Sequence, residues 1–193
     1  MKLYTRAVSS ALFPLHERLK GHSTVSVHRK LERSQWLPPQ ELRARQLQDL
    51  REFLKVIGAE VPYYRKLFTD GGRDPQAVDS LADLQQLPLL DKTTIRANTK
   101  AMVREGATDL ASFSTGGSSG EPLTFYLGKE RVSHDIAAKW RATRWWNVDI
   151  GDPEIVIWGS PIELGRQDRV RLWRDRLFRT QLLSAFAMSS EGM

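Results

Sequence analysis

Residues 112–127 constrain the chain more than any other stretch. Ser112-Phe113-Ser114 and Leu123-Thr124-Phe125-Tyr126-Leu127 carry the aromatic and β-branched residues of strands. Between them runs Thr115-Gly116-Gly117-Ser118-Ser119-Gly120-Glu121-Pro122. Two strand-like runs joined by a segment rich in glycine and serine read as a β-hairpin. The texture of the sequence changes near this point, with helical periodicity before Gly106 and strand–helix alternation after it.

Upstream, Leu3, Ala7, Ala11, Leu15 and Leu19 recur at near-helical spacing, with Pro14 placed to break or kink the pattern. Residues 21–27 read as a loop. Pro39 suits the first position of a helix. Leu42, Leu47, Leu50, Leu54 and Ile57 then form one apolar stripe opposite Arg43, Arg45, Asp49, Arg51 and Glu52. Gly58 stands where that helix is expected to stop. A short helix is expected from Val61 to about Asp70, and two more over 81–84 and 92–98, the last capped by Asp91.

Downstream, residues 129–146 predict a helix, 155–158 a buried strand, 166–179 a basic amphipathic helix with Val170, Trp173 and Leu177 inward, and 182–186 a further strand. Strand, helix, strand, helix, strand opens an α/β layer. Two or three strands cannot cover their own faces, so the architecture reads as unfinished, with open sheet edges.

The Thr115–Gly120 segment is where chemistry concentrates. Glycines at 116, 117 and 120 let the backbone approach a ligand closely, and successive N–H groups in such a turn make an anion-binding concavity. Thr115, Ser118 and Ser119 add hydroxyl donors, and the set suits a polyphosphate. The glycine spacing is wrong for a Walker A loop, Glu121 stands where that motif has lysine, and no G-x-G-x-x-G is present. From the residues alone, a phosphate cradle and a glycine-rich hairpin that binds nothing both remain open.

The segment is similar to the T-S-G-T-T-G-K-P signature of adenylate-forming enzymes. Thr115, Gly117, Ser118, Ser119, Gly120 and Pro122 match it, Gly116 takes its variable serine position, and Glu121 replaces its lysine. Glu32-Arg33-Ser34-Gln35-Trp36, Val61-Pro62-Tyr63-Tyr64-Arg65, Leu87-Pro88-Leu89-Leu90-Asp91-Lys92, Gly151-Asp152-Pro153 and Trp158-Gly159-Ser160-Pro161 extend the resemblance, which is to the N-terminal half of the phenylacetate–CoA ligase/CapK-like branch. It implies an α/β fold: one partial domain over 1–193, mainly helical over 1–105, then a β-hairpin phosphate loop and β-α-β units over 106–193. The C-terminal half and a small mobile domain are expected to be absent.

The resemblance implies that Thr115, Gly116, Gly117, Ser118, Ser119 and Gly120 close over the β- and γ-phosphates of ATP. It implies Mg2+ with the ATP, a small-molecule carboxylic acid as substrate, and CoA or another acceptor. An aromatic–Thr–Glu segment, a ribose-binding aspartate and a lysine on the small domain are expected beyond Met193, so no catalytic residue is assigned here. The function implied is that of part of an AMP-forming acid ligase. A non-catalytic remnant serving as a binding module is the alternative.

A pI near 9.8 and a formal charge of +6 also raise a basic nucleic-acid-binding protein as a lesser alternative. The positive charge is spread over helices with apolar stripes, so no nucleic-acid partner is expected. There is no cysteine, which removes thiolate metal sites and cysteine nucleophiles. His16, His22, His28 and His134 lack metal-ligand spacing and read as surface or capping residues, and no metal ligand is assigned. Asp149, Asp152 and Glu154 read as solvating a turn, and Trp140, Trp145, Trp146, Trp158 and Trp173 as core. No run reaches the ~20 apolar residues of a membrane span, and no signal peptide is evident; a cytoplasmic location is expected.

Overall fold

The computed structural model describes residues 2–115, 121–158 and 169–185. The chain divides into two compact units. Arg33–Val132 forms one; Met1–Glu32 together with Ser133–Met193 forms the other.

In the Arg33–Val132 unit the longest helix is α4, Pro39–Glu60, opening with Pro39 at its first position as expected. (Helices α1 to α3 belong to the other unit.) Helix α4 runs through Gly58 instead of ending there. A Cβ at Gly58 would lie 2.9 Å from Cγ of Pro75 and 3.2 Å from Cδ2 of Phe68, so the glycine serves close packing and not a cap. The stop comes at Val61, extended at φ −112° and ψ 110°, because Pro62 disfavours helical geometry in the residue before it. Helix α5, Pro62–Asp70, starts at that proline. Leu54, Ile57, Val61, Phe68 and Val78 form the buried core, with Leu47, Leu50, Tyr64 and Leu87 packed against it. Leu42, at the start of the predicted stripe, is exposed.

The expected helix at 81–84 is a 3-10 helix, Leu81–Gln86, closed by a capping box between Ser80 and Asp83. Helix α6, Lys92–Asn98, follows the predicted cap: Thr94 N–H donates to Asp91 Oδ1 at 2.7 Å. Strands β1 (Ala111–Ser114) and β2 (Thr124–Leu127) pair antiparallel, with Phe113 opposite Phe125 and Ser114 opposite Thr124.

The other unit begins with α1 (Leu3–Ala7), a π-helical turn (Val8–Leu12) and α2 (Phe13–Leu19). Pro14 does not end the helix. The turn before it widens so that Phe13 N–H reaches Val8 O, an i to i−5 bond that makes room for a residue without a donor. Residues 24–27, expected in a loop, begin α3, Thr24–Ser34. Its buried positions are Thr24 and His28, both polar, with Val27 and Leu31 partly buried beside them. Helix α7, Lys129–Arg144, carries Ser133, Ala137 and Trp140 inward. Strand β3 (Glu154–Trp158), α8 (Arg169–Phe178) and β4 (Thr180–Ser184) make a β-α-β unit whose strands pair in parallel, Val156 opposite Leu182.

Several burial expectations are corrected here. Trp145, Trp146 and Trp173 are 55%, 80% and 67% exposed, and Leu177 is exposed as well; only Trp140 among the described tryptophan side chains is in the core. Trp145 and Trp146 follow the last turn of α7, which ends before them at Arg144. Strand β3 shows one uncovered face, with Ile155 and Ile157 exposed, because its two-stranded sheet has no layer over that side among the described residues.

Candidate functional site

The hairpin is built so that its ends are held while residues 116–120 connect them. Thr115 N–H donates to Leu123 O at 3.0 Å, and Leu123 N–H donates to Thr115 Oγ1, also at 3.0 Å. The threonine thus serves twice, once through its backbone and once through its hydroxyl, and the pair closes the ladder one step beyond Ser114 and Thr124. The Phe113 and Phe125 rings stack across the strands at 6.0 Å and 20°, stiffening the stem. Of the six residues assigned to phosphate binding, Thr115 is therefore at the mouth of the hairpin. Gly116, Gly117, Ser118, Ser119 and Gly120 lie outside the described residues.

Beside the hairpin opens a cleft of about 1040 Å³. Its lining includes Thr115, Leu123 and Phe125 of the hairpin, Ile95 and Thr99 of the α6 region, and Thr108, Asp109 and Leu110. That volume is at the upper end of what small-molecule sites use. Two of the cations that line it, Lys129 and Arg104, have acid partners. Lys129 Nζ is 3.3 Å from Asp109 Oδ2, and Arg104 pairs with Glu60. Asp109 adopts φ +56°, the left-handed region that aspartate tolerates better than most residues.

The frame behind the cleft is tied to the helical core of the same unit. Tyr63 N–H donates to Ala101 O at 2.9 Å, and Glu105 N–H to Glu60 O at 2.8 Å. Arg65 grips Glu105 at 2.5 Å, and the guanidinium holds the Glu105 carboxyl below its ordinary value. One contact escaped the sequence altogether. Arg96 of α6 donates through Nη2 to the backbone carbonyl of Glu121, at the far end of the glycine-rich segment. A helical arginine 25 residues away from its acceptor leaves no local signal.

In the other unit the polar residues have structural roles that differ from those expected. Asp149 is buried and accepts the indole N–H of Trp140 at 2.7 Å. Asp152 accepts Asp149 N–H at 3.0 Å and the Thr5 hydroxyl at 2.7 Å, and these bonds hold its carboxyl below the ordinary range. The two aspartates therefore pin a turn instead of solvating it, and Glu154 pairs with Lys139. His28 is buried and stacks on Trp140, ring centroids 4.0 Å apart, so it is neither a surface nor a capping residue. Glu17 is 1% exposed and accepts from His16, His22 and the Thr24 hydroxyl. Among the described residues, no group of three or more His, Asp or Glu is arranged to hold a metal ion. No helix among them is long and apolar enough to cross a membrane.

No protein-family model matches the chain. Over 60 residues, 31% of this chain and 14% of the relative, it is 37% identical to the phenylacetate-coenzyme A ligase of Thermus thermophilus. Over 149 residues, 77% of this chain and 33% of the relative, it is 24% identical to Protein CapK of Staphylococcus aureus. A crystal structure of 2-hydroxyisobutyryl-CoA ligase, captured in the postadenylation state, matches 77% of this chain and 32% of its own. The TM-score is 0.57 at 19% identity, a likeness of fold. The chain thus spans about a third or less of each of these three proteins, and over that span it is similar to two proteins named as CoA ligases and to CapK.

Proposed function

We propose that this chain supplies the phosphate-binding loop of an ATP-dependent, AMP-forming carboxylic acid ligase of the phenylacetate–CoA ligase/CapK-like type. The observation that carries the reading is the closed hairpin. Its mouth is fixed by the reciprocal bonds of Thr115 and Leu123, its connecting residues bear the adenylate-former signature, and it stands beside an open cleft. In this reading Thr115, Gly116, Gly117, Ser118, Ser119 and Gly120 receive the β- and γ-phosphates of ATP, which carries Mg2+. The carboxylate of the acid attacks the α-phosphate, pyrophosphate leaves, and an acyl-adenylate forms. CoA or another nucleophile then displaces AMP, and the cytoplasm is where ATP and CoA are available.

Holding the β- and γ-phosphates fixes the leaving group, and donors aimed at it stabilise the charge it gains as its bond to the α-phosphorus breaks. Backbone N–H groups do this without a cationic side chain, so glutamate at position 121 is compatible with the role. The test is calorimetric binding of ATP to the protein carrying Gly117→Val. A β-branched side chain blocks the close backbone approach, and affinity is expected to fall by at least about tenfold, near 1.4 kcal/mol. Unchanged affinity would remove the loop from the site.

A further inference from the structure

We propose that Arg96 is a positioning residue that fixes the returning end of the hairpin from α6. The proposal rests on the phosphate-binding reading for its functional consequence, and on geometry alone for the anchoring itself. The two ends of the glycine-rich segment are held by different means. At Thr115 the ladder closes with two reciprocal hydrogen bonds to Leu123. Glu121 lies beyond that closure, and Arg96 Nη2 donates to its carbonyl. A guanidinium donor gives a charge-assisted bond, stronger than a neutral one, to a backbone acceptor that cannot swing away as a side chain can.

The anchor's base is α6, a seven-residue helix whose own hydrogen bonds are local. Asp91 caps its start through Thr94 N–H at 2.7 Å. Asn98 Nδ2 donates back to Thr94 O at 2.9 Å, and Thr99 Oγ1 to Ile95 O at 2.9 Å. The segment after it is tied to α5 by the bond from Tyr63 N–H to Ala101 O. A chain of contacts thus runs from the unit's core through α5 and α6 to Glu121. Among the described residues, the bonds that hold the return from the glycine-rich segment are those of Thr115 with Leu123 and that of Arg96, and a hairpin mouth with one fixed edge frays.

The test compares the parent protein with Arg96→Ala and Arg96→Lys in two measurements. In ligand-free protein, amide hydrogen exchange is followed at Thr115 and Leu123, whose N–H groups close the ladder, and at Leu54 and Ile57 in the core. Arg96→Ala is expected to speed exchange at the hairpin amides by about tenfold with the core amides unchanged. Arg96→Lys, which keeps one charged donor, is expected to restore most of the protection. Calorimetry with inorganic triphosphate is expected to show weaker binding in Arg96→Ala and recovery in Arg96→Lys.

Unchanged hairpin exchange overturns the proposal. Equal acceleration at Leu54 and Ile57 overturns it as well, because the arginine would then support the whole unit. Loss of triphosphate binding with unchanged exchange also overturns it, by making Arg96 a direct ligand contact. If the parent protein binds no triphosphate, the phosphate-binding reading fails, and the exchange data still decide the anchoring.

Discussion

Gly151→Ala is expected to be among the most damaging single-methyl changes in this protein. Gly151 adopts φ +98°, where L side chains are strained, and a Cβ there would lie 2.7 Å from Cβ of Val8, 3.0 Å from Cγ1 and 3.2 Å from Cγ2. Carbon atoms prefer about 3.5–4.0 Å, so the overlap is with three atoms at once. Val8 is only 2% exposed and belongs to the π-helical turn, so it has little room to retreat. The unfavourable φ costs about 1–3 kcal/mol and overpacking typically about 1–3 kcal/mol, giving a loss of roughly 2–6 kcal/mol. Gly106→Ala is the matched control, since Gly106 has φ +72° but nothing within 4 Å of its absent Cβ. Urea unfolding followed by tryptophan fluorescence yields both values, and their difference isolates the overlap with Val8. Equal losses at the two sites would refute the packing argument, and a loss at Gly151 below about 0.5 kcal/mol would refute both terms.

Two further outcomes follow from the unit that contains Gly151. Trp140→Phe removes the indole donor from the buried Asp149 carboxylate while keeping an aromatic ring. It is expected to cost about 1–3 kcal/mol in chemical denaturation, and a neutral result would mean that Asp149 finds another donor. For Glu17, burial pushes the carboxyl up, but the hydrogen bonds from Thr24 and His22 and the nearby charges of His22 and Lys20 outweigh it and set it below its ordinary value near 4.5. Its stabilising contribution is therefore complete above that value and lost as pH falls through the lower folded value. Glu17→Gln is expected to flatten the loss of stability on acidification in that window, and an acid limb identical to the parent's would show that Glu17 is not its source.

Where the sequence carried apolar periodicity or a specific turn residue, it predicted the structure well. The α4 stripe, the Asp91 cap, the two hairpin strands and the strands of the β-α-β unit were all legible. It failed where burial is polar or steric. Helix α3 buries the polar Thr24 and His28, and Asp149 and Asp152 look like solvated turn residues until Trp140 and Thr5 are brought to them. Gly58 resembles a helix stop in sequence, yet only the approach of Pro75 and Phe68 explains it.

The candidate site divides along the same line. The glycine and hydroxyl spacing of residues 115–120 is a local property, because it concerns which backbone conformations and donors one short segment offers. That the sequence determined by itself, along with the resemblance it supports. The closure of the hairpin by Thr115 and Leu123 depends on strand register, and the grip of Arg96 on Glu121 depends on where α6 is carried by its ties to α5. Such contacts join residues far apart in the chain. They exist only once the entropy of bringing distant segments together has been overcome by the burial of the core, so the tertiary structure alone decided them.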